Sequence, residues 1–512
     1  MYMHKIALIT FLFAGVAAKA QKTQKIADPK SFASSITADD LKKHLHIVAG
    51  AGMEGRETAT EGQRKAAAYI ENHFRSLGLQ PGNKSNFQLS YPIYQDSIIS
   101  TSIEVNGQQF NLNTDFSINV ILSHNSTILC NEVVYVGNGV VDSSRNDYAD
   151  VNVQGKIVLI VPRFPTAARG SNSGESNIKT RPLATIETAQ RNGAAAVLIV
   201  QNNFPRITVT KTGLYLNGFQ KSVYPITYTI SENIARAIMG NDYDAAKEAI
   251  KNGNHQPKTY EAEVKLECQK SMGGLSSSNV IGYVEGTDLK DQYLFITAHY
   301  DHLGKRDTVT YYGADDDGSG TVSVLELAEA FAKAKAAGKG PRRTVVFMAV
   351  SGEEKGLWGS QYYSNHPLFP LERTTADLNI DMIGRIDPKR TQGDSNNYVY
   401  VVGDDKLSSD LHPINEKMNK KYTRLELDYK YNDPKDQERI YYRSDHYNFA
   451  RKGVPIIFYF NGTHKDYHRP TDTPDKINYQ LMAKRTQLIF YTAWEMANRN
   501  DMLKRDLPIE NK

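Results

Sequence analysis

Two cysteines in 512 residues, Cys130 and Cys268, exclude a disulfide framework as the source of stability. No apolar run is long enough to span a bilayer; the one at 6–18 falls short. The net charge of +4 is small for this length and offers no partner field to nucleic acid or to an anionic membrane. There is no internal repeat and no long low-complexity tract. What is present is a hydrophobic share of 40% and a charged share of 23%, the balance of a globular chain. The length exceeds what one ordinary domain needs.

The first twenty residues predict a secretory signal. Lys5 supplies the positive start, residues 6–18 the apolar core, and Ala18-Lys19-Ala20 a small-residue cleavage site that leaves Gln21 as the mature end. No cysteine follows that site, so no lipoprotein signature is present. The expected destination is periplasmic or extracellular, without stable membrane insertion. Pairing of the two cysteines is left open at this point.

Residues 37–41 start a helix with Thr37 or Asp39 as cap, and 62–77 read as an amphipathic helix that Gly78 stops. From about residue 97 short strands alternate with Asn, Gly and Asp turns, as at 103–105, 132–136 and 156–161. A helix over 184–192, strands at 196–200 and 225–230, and a helix over 232–239 follow. This stretch lacks the acidic strand ends seen later and reads as a β-rich α+β domain inserted at 116–257. The expected division is a signal at 1–20, a first part of the main domain at 21–115, the insertion, and the main domain at 258–512. In that last part strands at 279–284, 294–299, 344–350, 378–381 and 454–460 alternate with helices from 321 and over 479–497. Such alternation predicts an α/β sandwich with a mixed, largely parallel central sheet.

The organising stretch is LFITAHYDHLGKRDTVTYYGADDDGSG, residues 294–320. A short apolar strand ends at His299, with Asp301 two residues on, and a loop then delivers Asp315, Asp316 and Asp317 before the next helix. Ligand sites in open α/β sheets lie at that carboxyl edge. Three further strand ends carry metal-type donors: Glu353-Glu354 after 344–350, Asp381 after 378–380, and His468 after 454–460. Imidazole and carboxylate are the donors that zinc takes in catalytic sites. Adjacent glutamates point differently, so one can ligate while the other takes a proton from water. Asp301 suits the task of orienting a ligating His299. Singly each is an ordinary polar residue; together they are hard to explain as solvated surface.

The segments HYDHLG at 299–304, GADDDGSG at 313–320, SGEEKGLWGS at 351–360, NIDMIG at 379–384, RSDH at 443–446 and DYH at 466–468 resemble the co-catalytic di-zinc exopeptidase family. That family includes secreted bacterial leucine aminopeptidases and glutamate carboxypeptidase. The likeness covers roughly 260–490, with an amino-terminal echo at Glu54-Gly-Arg-Glu-Thr58. The resemblance implies the three-layer zinc-exopeptidase sandwich and two Zn²⁺ per chain. It implies that Asp316 bridges the ions, that His299 and Asp381 complete one site, and that Glu354 and His468 complete the other. It further implies Glu353 as general base, Asp301 as the residue orienting His299, Tyr467 as oxyanion donor and Arg443 as a substrate contact. Asp315 stands where many relatives have Asn. The insertion resembles a protease-associated domain through residues 155–161 and 193–200. The implied activity is peptide hydrolysis, most simply as an aminopeptidase. A carboxypeptidase, a single-zinc glutaminyl cyclase and a non-catalytic relative are the alternatives on the same scaffold.

Overall fold

The computed structural model describes residues 27–163, 182–206, 212–216 and 223–508. The predicted signal segment lies outside the described residues. At the centre four strands run parallel, in the order β8 (Arg343–Val350), β7 (Leu289–His299), β9 (Thr374–Ile380) and β12 (Ile456–Phe460). Beyond β12 lie β10 (Tyr398–Val402), antiparallel to it, and β11 (Glu426–Asp428). On the other side, β8 pairs antiparallel with β6 (Lys258–Val284). The sheet is therefore mixed and largely parallel, as the alternation of strands and helices predicts.

The central strands are apolar on both faces, as strands between two helical layers must be. Leu294, Ile296, Val345 and Phe347 face helices α1 (Ala38–Val48), α2 (Glu61–Ser76), α3 (Gly320–Ala336) and α4 (Tyr479–Asn498). Phe295, Val346 and Met348 point the other way, toward the helices Trp358–Asn365 and His446–Ala450. The period of two thus makes a three-layer sandwich. Phe331 of α3 ties the first layer together, its ring 5.9 Å from Phe347, 5.0 Å from Phe490 and 5.7 Å from Trp494. Local signals act as read. Thr37 caps α1 by accepting the Asp40 amide at 3.1 Å, and α2 buries Ala66, Ile70 and Phe74.

The inserted region has its own core. Strands β2 (Ser126–Tyr135), β3 (Ile157–Ile160), β4 (Ala196–Val200) and β5 (Ile226–Ile230) run parallel, and the short strand Phe116–Ile118 closes the edge antiparallel. Two readings of the sequence are corrected here. Strands read separately at 103–105 and 279–284 belong to two long ones, β1 (Gln88–Val105) and β6, which pair antiparallel as one ribbon. Part of that ribbon, 268–278, is rich in Gly and Ser and resembles a loop in composition; pairing with β1 keeps it extended. The ribbon leaves the peripheral core at β2 and reaches the central sheet at β8, so the two cores share a single sheet.

The ladder also answers the cysteine question. Cys130 lies opposite Val264 and Cys268 opposite Ser126, which separates them by four positions, roughly 13 Å along the strands. Both are free thiols.

Candidate metal centre

Parallel strands end at one edge of a sheet, so donors far apart in sequence meet there. His299 is the last residue of β7 and is in register with Val350, the last of β8. Ile380 of β9 is in register with Tyr459 of β12. Asp381 follows β9 directly, Glu353 and Glu354 follow β8, and His468 lies in the segment after β12. The loop before α3 adds Asp316.

These side chains converge. Asp316 sends one oxygen to each histidine, Oδ1 standing 3.3 Å from His299 Nε2 and Oδ2 3.1 Å from His468 Nε2. Asp381 Oδ1 is 3.7 Å from His299 Nε2, and Glu354 Oε2 is 3.2 Å from His468 Nε2. Glu353 Oε2 lies 3.9 Å from His299 Nε2. His299 and Asp316 are buried, while His468 is 39% exposed at its side chain.

The three consecutive aspartates have separate tasks. Asp317 accepts the amides of His299 at 3.2 Å, Gly320 at 2.8 Å and Met382 at 3.0 Å, which locks three chain segments together. Gly320 is required there: a Cβ would stand 2.5 Å from the Ile380 carbonyl. Asp315 accepts the Gly384 amide at 2.6 Å and faces His464 at 3.1 Å. Asp472 accepts the amides of both Asp315 and Asp316, at 2.9 and 3.2 Å. Only Asp316 is left to face both His299 and His468.

Asp301 differs from its expected role. The contact that orients His299 is to the backbone carbonyl of Asp301, 3.1 Å from Nδ1, while the carboxylate stands off at 3.7 Å. The carboxylate instead accepts the Glu353 amide at 3.2 Å and the Thr58 hydroxyl at 2.7 Å. It therefore acts on the glutamate loop. Arg443 donates to the Tyr467 hydroxyl at 3.1 Å, and the Tyr467 ring stacks on His468 at 3.9 Å. Asp316, Glu353 and Asp381 open into a small cavity of about 30 Å³ whose apolar wall is Met382, Ile440, Phe458 and Phe460, with Arg443 and Tyr467 also lining it.

The electrostatics are those of crowded acids out of water. Burial raises the Glu353 carboxyl well above its usual range, and the nearby Glu354 and Asp381 add to this while His299 opposes it. Burial works against charge on His299, yet Glu353, Asp381 and Asp316 outweigh it and raise its pKa well above normal. His468, also resisted by burial, is pushed up to about 10 by Asp316 and Glu354. Negative crowding that holds a proton on an imidazole will hold a metal cation in its place. His299 Nε2, Asp316 Oδ2 and Glu354 Oε1 are buried without a hydrogen-bond partner, a costly arrangement unless a cation completes it. Imidazoles and carboxylates so spaced fit zinc.

Sequence reasoning missed several residues that build this site. Arg56 is fully buried and donates to four carbonyls: Tyr300 at 2.7 Å, Val48 at 2.9 Å, Tyr312 at 2.8 Å and Gly313 at 2.9 Å. It staples the amino-terminal segment to the ends of β7 and of the acidic loop. Glu57 pairs with Lys355, next to Glu354, at 2.8 Å. His302, inside HYDHLG, places Nδ1 2.7 Å from Glu354 Oε1. A second imidazole within that short segment was the signal available for it.

Comparison with known proteins agrees with this architecture. The model of Peptidase family M28 matches residues 279–493, and that of the PA domain matches residues 130–231. A probable zinc metalloprotease of Leptosphaeria maculans is 35% identical over 121 residues, covering 23% of this chain and 27% of its own. Aminopeptidase YwaD of Bacillus subtilis is 28% identical over 200 residues, 39% of this chain and 36% of its own. A probable leucine aminopeptidase of Trichophyton verrucosum is 29% identical over 215 residues, 40% of this chain and 55% of its own. The chain thus spans from about a quarter to about half of the length of these relatives. Among solved structures, an aminopeptidase from Aneurinibacillus sp. strain AM-1 superposes with a TM-score of 0.57 at 20% identity, over 95% of this chain and 98% of that one. BSAP, a zinc aminopeptidase from Bacillus subtilis, gives 0.52 at 19% identity, over 92% and 99%. Both have this fold. Residues 279–493 are accordingly similar to Peptidase family M28, and residues 130–231, which precede them, to the PA domain.

Proposed function

We propose that this chain is a zinc aminopeptidase that removes the first residue from peptides, using two Zn²⁺ per chain, and that it is exported after cleavage near Ala20. The observation that carries the proposal is the Asp316 carboxylate, with one oxygen toward His299 and the other toward His468. His299 and Asp381 would complete one ion's ligands, Glu354 and His468 the other's. Relatives described as aminopeptidases support the reaction class. Among the described residues no helix is long and apolar enough to cross a membrane.

When bound, zinc supplies Lewis acidity toward the scissile carbonyl and lowers the pKa of water. The chain's own residues do the rest. Glu353, with its raised pKa, takes the proton of the attacking water and returns it to the leaving amine. Asp301 holds the Glu353 amide and so fixes where that carboxylate points. Tyr467, aligned by Arg443, donates to the oxygen that gains charge. The free α-ammonium of the substrate is met by the surplus of carboxylates. The wall of Met382, Ile440, Phe458 and Phe460 accepts an apolar first side chain.

The test compares purified mature protein on leucyl peptides with a free amino terminus and on the same peptides acetylated there. Release of leucine from the free peptide alone is expected. Equal cleavage of both, or release from the carboxyl terminus, rules the aminopeptidase reading out.

A further inference from the structure

We infer that His302 is a sixth protein donor of the metal centre, ligating through Nδ1 the ion held by Asp316, Glu354 and His468. This rests on the two-zinc reading above and deepens it.

The ring is fully buried and lies three residues beyond His299. Its backbone amide bonds to the Arg56 carbonyl at 3.3 Å, so the Arg56 staple also places this side chain. Nδ1 stands 2.7 Å from Glu354 Oε1 and 3.9 Å from Asp316 Oδ2. His468 Nε2 stands 3.1 and 3.2 Å from the same two carboxylates. Zinc–ligand bonds of about 2.0–2.2 Å in a tetrahedral array separate neighbouring donors by roughly 3.3 Å, and His302, Asp316 and Glu354 offer donor atoms that all lie within 4.8 Å of one another.

A competing role, a hydrogen bond from Nδ1 to Glu354, matches the distance but not the direction. Both Nδ1 and Oε1 are buried, and neither has a hydrogen-bond partner. Atoms that close and still unsatisfied aim past one another, as two donors aimed at a common ion do. His299 Nε2 and Asp316 Oδ2, assigned as ligands on other grounds, are unsatisfied in the same way.

The consequence is an unequal pair of sites. His302, Asp316, Glu354 and His468 form a set of four protein donors, the number of a closed zinc site. His299, Asp316 and Asp381 form a set of three, which leaves a position open for substrate or water. The four-donor site should therefore fill first and empty last.

The experiment is a crystal structure of the zinc-loaded full chain with anomalous data at the zinc edge, together with zinc titration of the wild type and of His302→Gln. The expected result is His302 Nδ1 at about 2.0–2.1 Å from one ion, and at least tenfold weaker binding of that ion alone in the variant. Two bound ions with His302 Nδ1 beyond about 3 Å from both overturn this inference and leave the two-zinc reading standing. Two ions bound equally well by the variant do the same. A wild-type chain that takes up fewer than two zinc ions overturns both.

Discussion

Thr58 donates its hydroxyl to Asp301 Oδ2 at 2.7 Å, and the other oxygen of that carboxylate receives the Glu353 amide at 3.2 Å. A residue of the amino-terminal segment thereby helps to hold the proposed base, almost 300 positions later in the chain. Thr58→Val removes the hydroxyl, keeps the shape, and leaves a buried carboxylate oxygen unpaired. About a tenfold loss of kcat with zinc content unchanged is expected. Unchanged kcat and KM would show that the link does not act on Glu353.

Arg56 reaches four carbonyls that no single lysine amine could serve. Arg56→Lys keeps the charge and loses the planar fork. Urea unfolding should show a loss of roughly 3 kcal/mol or more. A denaturation midpoint equal to that of the wild type would refute the staple.

Glu326 of α3 and His44 of α1 stand 3.6 Å apart, an ion-pair distance, yet both are driven toward the neutral form. Burial, with Glu329 and Asp40 nearby, raises Glu326 from 4.5 to about 8. Burial, with His73 nearby, lowers His44 from 6.5 to about 4. Between pH 4.5 and 8 the folded chain keeps the Glu326 proton while the unfolded chain loses it. Folding stability from this group is therefore full below about pH 4.5 and falls as the pH rises toward 8. Glu326→Gln should gain on the wild type across that interval, by on the order of 3 kcal/mol at pH 8. Thermal unfolding at pH 5 and pH 8 measures it, and a difference independent of pH contradicts it.

Glu353→Gln keeps the size of the side chain and removes its basicity. Turnover should fall by about 10²–10⁴-fold while both zinc ions remain, as read by steady-state kinetics beside metal analysis. A variant with near-normal kcat would remove Glu353 from the chemistry.

Much of this was legible before any coordinates, and the reason is periodicity. Residues 196–200 and 232–239 are read from the sequence as a strand and a helix, and both appear with those bounds. The cluster of histidines and carboxylates could be gathered because each follows an apolar strand or loop with a recognisable end, whereas the choice of His299, Asp316, Glu354, Asp381 and His468 as donors was implied only by the resemblance of the surrounding motifs to the di-zinc exopeptidase family. The ribbon of β1 and β6 was not legible, because main-chain pairing rather than side-chain pattern keeps Ser276, Gly273 and Gly274 extended. Arg56 was not legible either: an arginine between Gly55 and Glu57 reads as a surface loop until its four carbonyl partners are folded around it. The same holds for the carboxylate of Asp301, whose partner is an amide that the sequence places 52 residues away.

The claim that everything else depends on is that one carboxylate, Asp316, serves two metal sites. Zinc content of the purified wild type and of Asp316→Ala, each checked for folding by circular dichroism, tests it directly. The expected result is two zinc ions per wild-type chain and none in the folded variant. A folded Asp316→Ala chain that still carries two would contradict it.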